Sequence, residues 1–245
     1  AREFFNLLIS SGIPQEVIAL VLGAGETVGD AITKDHRVAG IVFTGSQAVG
    51  SMIYRNESLK LVNHHGLQKP IQKKIITELG GKNAIIVSDN CELDETISGI
   101  IYSAFGYAGQ KCSAASRVLV HKDIKAKLIS RLKRAVQDLH IGESFDHGTT
   151  ISPLIRMEDK KRVLRVIQES RKEVQDFGGQ VIIDRSHESF PGFCVGPAVF
   201  EVPPNLAMKS ESWAQKEIFG PVLHIVEFQT LEEAIELFNG TPYAL

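Results

Sequence analysis

Short apolar β-type runs alternate with stretches at helical spacing, and this order constrains most strongly what the chain can fold into. Residues 17–22 and 38–43 read as strands, each followed by a glycine turn and then a helical stretch, at 28–34 and about 47–56. A helix carrying Phe4, Phe5, Leu7 and Leu8 precedes them and ends at Ser11-Gly12. Strand, crossover helix and strand in succession is the order of a parallel sheet. The first third therefore predicts half of a nucleotide-binding sheet.

A second series follows a strand-like run at 75–77. Strands are predicted at 84–87 and 117–121, with a helix over 93–107 between them. Ile124, Leu128, Leu132, Ala135, Val136 and Leu139 recur at spacings of three and four, which predicts an amphipathic helix. Another helix, about 157–177, ends at Gly178-Gly179 and feeds a strand at 181–184. Strands near 195–200 and 223–228 and a helix at 231–238 complete the order. A domain boundary falls near residues 77–79, giving units 1–78 and 79–245, and no internal repeat is present.

Composition narrows the function classes. The 245 residues fit one large domain or two small ones, and 27 basic against 29 acidic residues leave no basic stripe for nucleic acid. An apolar content of 43% without low-complexity tracts excludes disorder. No apolar run approaches the roughly 18 to 20 residues of a membrane helix, and the N-terminus lacks a signal-peptide layout. A soluble, intracellular protein is expected. Cys91, Cys112 and Cys194 are odd in number and lack CxxC spacing, so neither a disulfide framework nor a zinc site is suggested. At least one thiol is free. Both chain ends read as cuts within a longer protein, because neither has the polar, loosely tied character of a domain terminus.

Two glycine turns can hold phosphate. Gly23, Gly25 and Gly29 follow a strand and open a helix, but GxGxxxG is one residue longer than the usual dinucleotide fingerprint. A plain turn competes with phosphate binding there. Phe43-Thr44-Gly45-Ser46 also joins a strand to a helix, which aims backbone N–H groups and a hydroxyl at an anion. Ser46 as a simple N-cap is compatible with that role.

Two side chains stand out chemically. Cys112 lies between Lys111 and small polar residues, in Gly109-Gln110-Lys111-Cys112-Ser113, a setting in which a thiolate is favoured and reachable. An inert thiol is the competing reading. Cys91, in an acidic patch, and Cys194, at an aromatic and glycine strand edge, are weaker candidates. Glu78 precedes Leu79-Gly80-Gly81, where a ligand can approach closely; partial burial there would lift its pKa toward that of a general base. A surface carboxylate before a turn is the alternative. His64-His65 has no third ligand at metal spacing and reads as a solvated helix end.

Taken together, FTGS (Phe43 to Ser46), ELGGKNA (Glu78 to Ala84), GQKCSAASR (Gly109 to Arg117) and EIFGPV (Glu217 to Val222) resemble the aldehyde dehydrogenase superfamily, in its order and with compatible spacing. The form of the second and third segments resembles most the branch acting on L-glutamate γ-semialdehyde, the pyrroline-5-carboxylate dehydrogenases, which occur alone or within bifunctional proline utilisation proteins. The resemblance implies an α/β fold, with part of a Rossmann-like nucleotide-binding domain followed by an α/β catalytic domain.

It also implies roles. Cys112 matches the nucleophile and Glu78 the general base. Gly25, Gly29, Phe43, Gly45, Ser46 and Val49 match the pyrophosphate and adenine side of an NAD site, with Leu79 and Gly80 beside it. Glu217 matches the residue that holds the nicotinamide ribose, Phe219 the ring near the nicotinamide, and Ser113 a contact for the substrate carboxylate. NAD is the implied cofactor, with NADP not excluded, and no metal is implied. A small aldehyde is the implied substrate, a homo-oligomer the implied full-length state, and the cytoplasm, or the mitochondrial matrix in a eukaryote, the implied location.

Family members also carry an upstream asparagine that completes the oxyanion hole, an upstream lysine for the adenosine ribose, and a downstream substrate loop and dimerisation arm. No matching segments occur in this sequence, so the isolated chain is expected to have little or no activity. Two other readings are an aldehyde dehydrogenase for a different aldehyde, and a non-catalytic nucleotide-binding or oligomerising fragment.

Overall fold

The structure, a computed structural model, describes residues 1–64 and 67–243. The chain forms two compact units, Ala1–Leu79 and Gly80–Leu245.

In the first unit, helix α1 (Arg2–Ser10) precedes a wide helical turn, Gly25–Gly29, that runs directly into α2 (Asp30–Lys34). Strand β1 (Gly40–Thr44), helix α3 (Gln47–Glu57), the hairpin strands β2 (Leu59–His64) and β3 (Leu67–Gln72), and β4 (Lys74–Glu78) follow. β1 and β4 pair in parallel, with Thr44 opposite Glu78. The buried Lys73 ammonium anchors this unit. It donates to the carbonyls of Thr33 and Asp35 and lies 3.6 Å from the Glu57 carboxylate, so the charge that burial would penalise is paired.

Two expectations fail in this unit. Residues 17–22 form no strand: a single 3₁₀ turn, Gln15–Val17, follows Pro14, and Val17, Val21 and Leu22 are exposed. An apolar run becomes a strand only where another strand satisfies its N–H and C=O groups, and residues 17–22 pair with no strand among the described residues. His64 does not end a helix. It closes β2, opposite Leu67, because the run from Leu59 pairs as an antiparallel hairpin; His65 lies outside the described residues.

The second unit is a five-stranded sheet. Its elements in chain order are β5 (Asn83–Val87), α4 (Leu93–Phe105), β6 (Ala115–His121), α5 (Lys122–Gln137), α6 (Met157–Asp176), β7 (Gln180–Asp184), β8 (Ala198–Glu201), α7 (Pro204–Ala207), β9 (Val222–Phe228) and α8 (Leu231–Asn239). The spatial order is β5-β6-β9-β8-β7. All neighbours are parallel except β7, which runs antiparallel to β8 at one edge.

Helical spacing explains which faces are buried. α5 turns Ile124, Leu128, Leu132 and Val136 inward, each of which stabilises the core by roughly 1.5–3 kcal/mol. α6 does the same with Val163, Val166, Ile167 and Val174, and ends at Phe177 before Gly178, whose φ of 80° reverses the chain into β7. Central β6 and β9 are almost wholly buried, as parallel strands covered on both faces must be. Among the described residues no helix is long and apolar enough to cross a membrane.

Candidate active site

The first unit gathers part of the expected set around Gly50. A side chain at Gly45 would overlap the Phe43 ring, and one at Gly50 would overlap Leu79 and approach Phe43. Phe43, Gly45 and Leu79 thus share one crowded corner, which Gly50 opens. Gly50 drew no attention in the sequence, although a glycine inside a helix away from its caps often marks close approach. The Gly45 N–H donates to the Glu78 carbonyl at 3.1 Å and joins the FTGS turn to the end of β4. Ser46 caps α3, its hydroxyl accepting the Val49 N–H at 3.4 Å.

Gly25 and Gly29 behave differently. A Cβ at either position would meet nothing within 4 Å, whereas one at Gly23 would overlap Val28. Close approach thus requires Gly23, the first glycine of the series. The Glu78 side chain is exposed, so the partial burial expected there is absent.

In the second unit the tetrapeptide Gly80-Gly81-Lys82-Asn83 meets both remaining motifs. A side chain at Gly80 would overlap the Glu217 carboxylate, and one at Gly81 would overlap the Cys112 carbonyl oxygen. The Gly81 N–H donates to Glu217 Oε1 at 3.3 Å. Glu217 is half-buried, and burial raises its pKa, opposed by that N–H, Lys82 and Arg162. Its Oε2 accepts no hydrogen bond among the described residues.

Lys82 and Asn83 work on opposite sides of this segment, as successive residues entering a strand do. Lys82 is wholly buried; its Nζ donates to the carbonyls of Trp213 at 3.1 Å and Lys216 at 2.8 Å, just ahead of Glu217. Burial, reinforced by Arg117, pushes the Lys82 ammonium down to about 7, and Glu217 opposes that shift. Arg117 donates from Nε to the Lys82 carbonyl at 2.9 Å and from Nη1 to the Leu237 carbonyl at 2.7 Å, tying this strand entry to α8. On the other side, Asn83 Nδ2 donates to the carbonyls of Cys112 at 2.6 Å and Ala114 at 3.2 Å.

Backbone strain collects in the same place. Tyr107, Ala108 and Phe219 have φ of 59°, 55° and 53°, the only non-glycine residues with positive φ among those described. Such conformations persist when surrounding contacts over-determine them. Gln110 supplies some of those contacts: its amide donates to the Tyr107 and Pro153 carbonyls and accepts the Ile155 N–H at 3.1 Å. Arg162 holds the other strained turn through the carbonyl of Ile218 at 2.6 Å. A narrow cleft of about 20 Å³ opens among Gly81, Lys111, Ala114, Glu217, Phe219 and Gly220.

Cys112 is half-buried, Ser113 exposed, and the Phe219 ring partly exposed. The Cys112 and Ser113 N–H groups have no acceptor among the described residues. All three cysteines are free, and burial raises the pKa of Cys194. Among the described residues no group of three or more His, Cys, Asp or Glu is placed to hold a metal. Lys82, Asn83, Gln110, Arg117 and Arg162 were not singled out in the sequence, because their partners are backbone carbonyls distant along the chain.

A two-unit α/β chain whose free Cys112 and half-buried Glu217 both pack on one double glycine matches a known family. The family model described as aldehyde dehydrogenase family matches residues 1–245, and the chain belongs to that family. Among curated relatives, the 1-pyrroline-5-carboxylate dehydrogenase of Bacillus subtilis is 30% identical over 246 residues, and that of Geobacillus kaustophilus is 31% identical. The chain spans 45% of the length of either relative. Among solved structures, 1-pyrroline-5-carboxylate dehydrogenase from Thermus with bound NAD superposes with a TM-score of 0.86 at 32% identity, over 99% of this chain and 44% of that one. Proline utilization A from Bdellovibrio bacteriovorus superposes with a TM-score of 0.85 at 34% identity, over 99% of this chain and 24% of that one.

Proposed function

We propose that the chain carries the cofactor-binding and thiol-bearing parts of an NAD-dependent aldehyde dehydrogenase that oxidises L-glutamate γ-semialdehyde to L-glutamate in proline catabolism. The observation that carries this reading is the seating of Glu217 and Cys112 on one glycine pair, Gly80-Gly81. Family membership and the 1-pyrroline-5-carboxylate dehydrogenase relatives support the reaction and its substrate. In this reading residues 1–78 are the C-terminal part of the NAD-binding domain, and residues 79–245 belong to the catalytic domain.

The residues suit a dinucleotide. Glu217 keeps one carboxylate oxygen unbonded for a ribose hydroxyl, Phe219 offers a partly exposed ring, and the FTGS turn presents the α3 N-terminus. Gly25, Gly29, Val49, Leu79 and Gly80 complete the proposed set. When bound, NAD supplies the hydride acceptor.

Cys112, as thiolate, adds to the aldehyde carbon. The oxyanion so formed takes hydrogen bonds from N–H groups that lack a protein acceptor, those of Cys112 and Ser113. Loss of hydride leaves a thioester on Cys112, and Glu78 removes a proton from the water that hydrolyses it. Ser113, exposed beside the thiol, binds the substrate carboxylate.

The test is a pre-steady-state measurement of reduced cofactor, in the protein at the length of its relatives. Cys112→Ala is expected to abolish the burst, and Glu78→Gln to keep the burst while slowing turnover. A burst surviving in Cys112→Ala removes that residue from its role.

A further inference from the structure

The β5–β6 ladder breaks where it reaches the thiol. Asn83 pairs with Ala115, but the next residue, Ala84, pairs with Arg117, so Ser116 is an extra residue on β6. Beyond Ala115 the chain no longer runs as a strand: the Ala114 N–H turns back to the Lys111 carbonyl at 3.1 Å. The carbonyls of Cys112 and Ala114 therefore lose the backbone donors a continuing ladder would have given them. The Asn83 side chain replaces those donors, its two amide hydrogens meeting the two carbonyls at 2.6 and 3.2 Å. With acceptors on both sides, only the NH₂ end of the amide can face them, which fixes its orientation. The backbone carbonyl of Asn83 in turn accepts the Ser116 hydroxyl at 3.4 Å, so the residue holds the bulge at both ends.

We propose that Asn83 is a positioning residue for the nucleophile, its amide setting the orientation of the Cys112–Ser113–Ala114 turn and hence of the thiol. This rests on the reading of Cys112 as the nucleophile. Gripping the Cys112 carbonyl fixes the plane of the peptide that follows, and with it the direction of the Ser113 N–H, which has no protein acceptor. Aspartate cannot substitute: its carboxylate has the same shape but turns acceptors toward acceptors. Serine keeps one donor of the two.

The experiment measures the rate of the reduced-cofactor burst, KM for NAD, and the thermal midpoint for Asn83→Asp, Asn83→Ala and Asn83→Ser in the protein at the length of its relatives. A misplacement of about 1 Å at a reacting group slows chemistry by about 100-fold, so Asn83→Asp and Asn83→Ala are expected to lose about 10- to 100-fold in burst rate. KM for NAD is expected to hold, and Asn83→Ser, the mildest change, to recover part of the rate. A burst rate in Asn83→Asp equal to that of the parent overturns the proposal, as does a loss in Asn83→Ser equal to that in Asn83→Asp. A burst retained by Cys112→Ala would instead overturn the reading of Cys112 beneath it, a result separable from a normal burst in the Asn83 variants.

Discussion

The Glu217 carboxylate fills the space a side chain on Gly80 would need. That exclusion ties two motifs far apart in sequence into one site, since the same segment donates the Gly81 N–H to Glu217 and leaves room for the Cys112 carbonyl. Gly80→Ala should therefore displace Glu217 rather than act locally. The expected result is a loss of about 1–3 kcal/mol from overpacking, read as a urea midpoint, together with a raised KM for NAD. An unchanged KM for NAD in a folded Gly80→Ala variant would detach Glu217 from cofactor binding.

Gly109 and Gly178 separate two costs of a side chain at positive φ. Gly178, at φ 80°, has open space around its Cβ position, so Gly178→Ala should cost about 1–2 kcal/mol for backbone strain alone. Gly109, at φ 67°, would in addition drive its Cβ into the Gly220 carbonyl. Gly109→Ala should cost more than Gly178→Ala and also slow the burst, because it follows the strained Tyr107-Ala108 pair and leads into Cys112. Equal midpoints for the two variants would show that the Gly220 carbonyl does not crowd Gly109.

Lys82 makes stability depend on pH. Its ammonium sits near 7 in the folded protein and near the ordinary lysine value of 10.5 when unfolded, so between these values the unfolded chain binds more protons. Stability should then rise as pH increases from about 7 toward 10.5, by at most about 1.4 kcal/mol per pH unit from this group. Lys82→Met should flatten that slope relative to the parent while leaving the Trp213 and Lys216 carbonyls without their donor. Parallel stability profiles for the two proteins would contradict the burial of a titrating ammonium.

The three thiols should react unequally. Cys194 is buried with a raised pKa, so it should be alkylated slowest. Cys112 should react fastest and be protected by NAD plus aldehyde. Peptide-resolved mass spectrometry checks both points, and equal reactivity of all three would favour a non-catalytic fragment.

Local patterns made most elements legible. The α5 spacing from Ile124 to Val136 and the Gly178 stop after α6 need only neighbours within a few turns. The β2–β3 hairpin escaped notice because Pro70 and mostly exposed residues blur its alternation. The antiparallel direction of β7 has no local signature, since strand order depends on partners elsewhere in the chain. Residues 17–22 are apolar enough for a strand but find no ladder. The site divides the same way: Cys112, Gly80 and Glu217 stand in motifs, whereas Asn83 and Lys82 act on carbonyls 29 and 131 residues away and show only in three dimensions.

The most direct test of the central claim is to trap the thioester. Glu78→Gln protein, at the length of its relatives, is mixed with NAD and glutamate semialdehyde, quenched, digested, and analysed by mass. The expected result is an acyl adduct on the peptide containing Cys112, in proportion to the reduced cofactor formed in the burst. An adduct on Cys91 or Cys194, or a full burst with Cys112 unmodified, would contradict it.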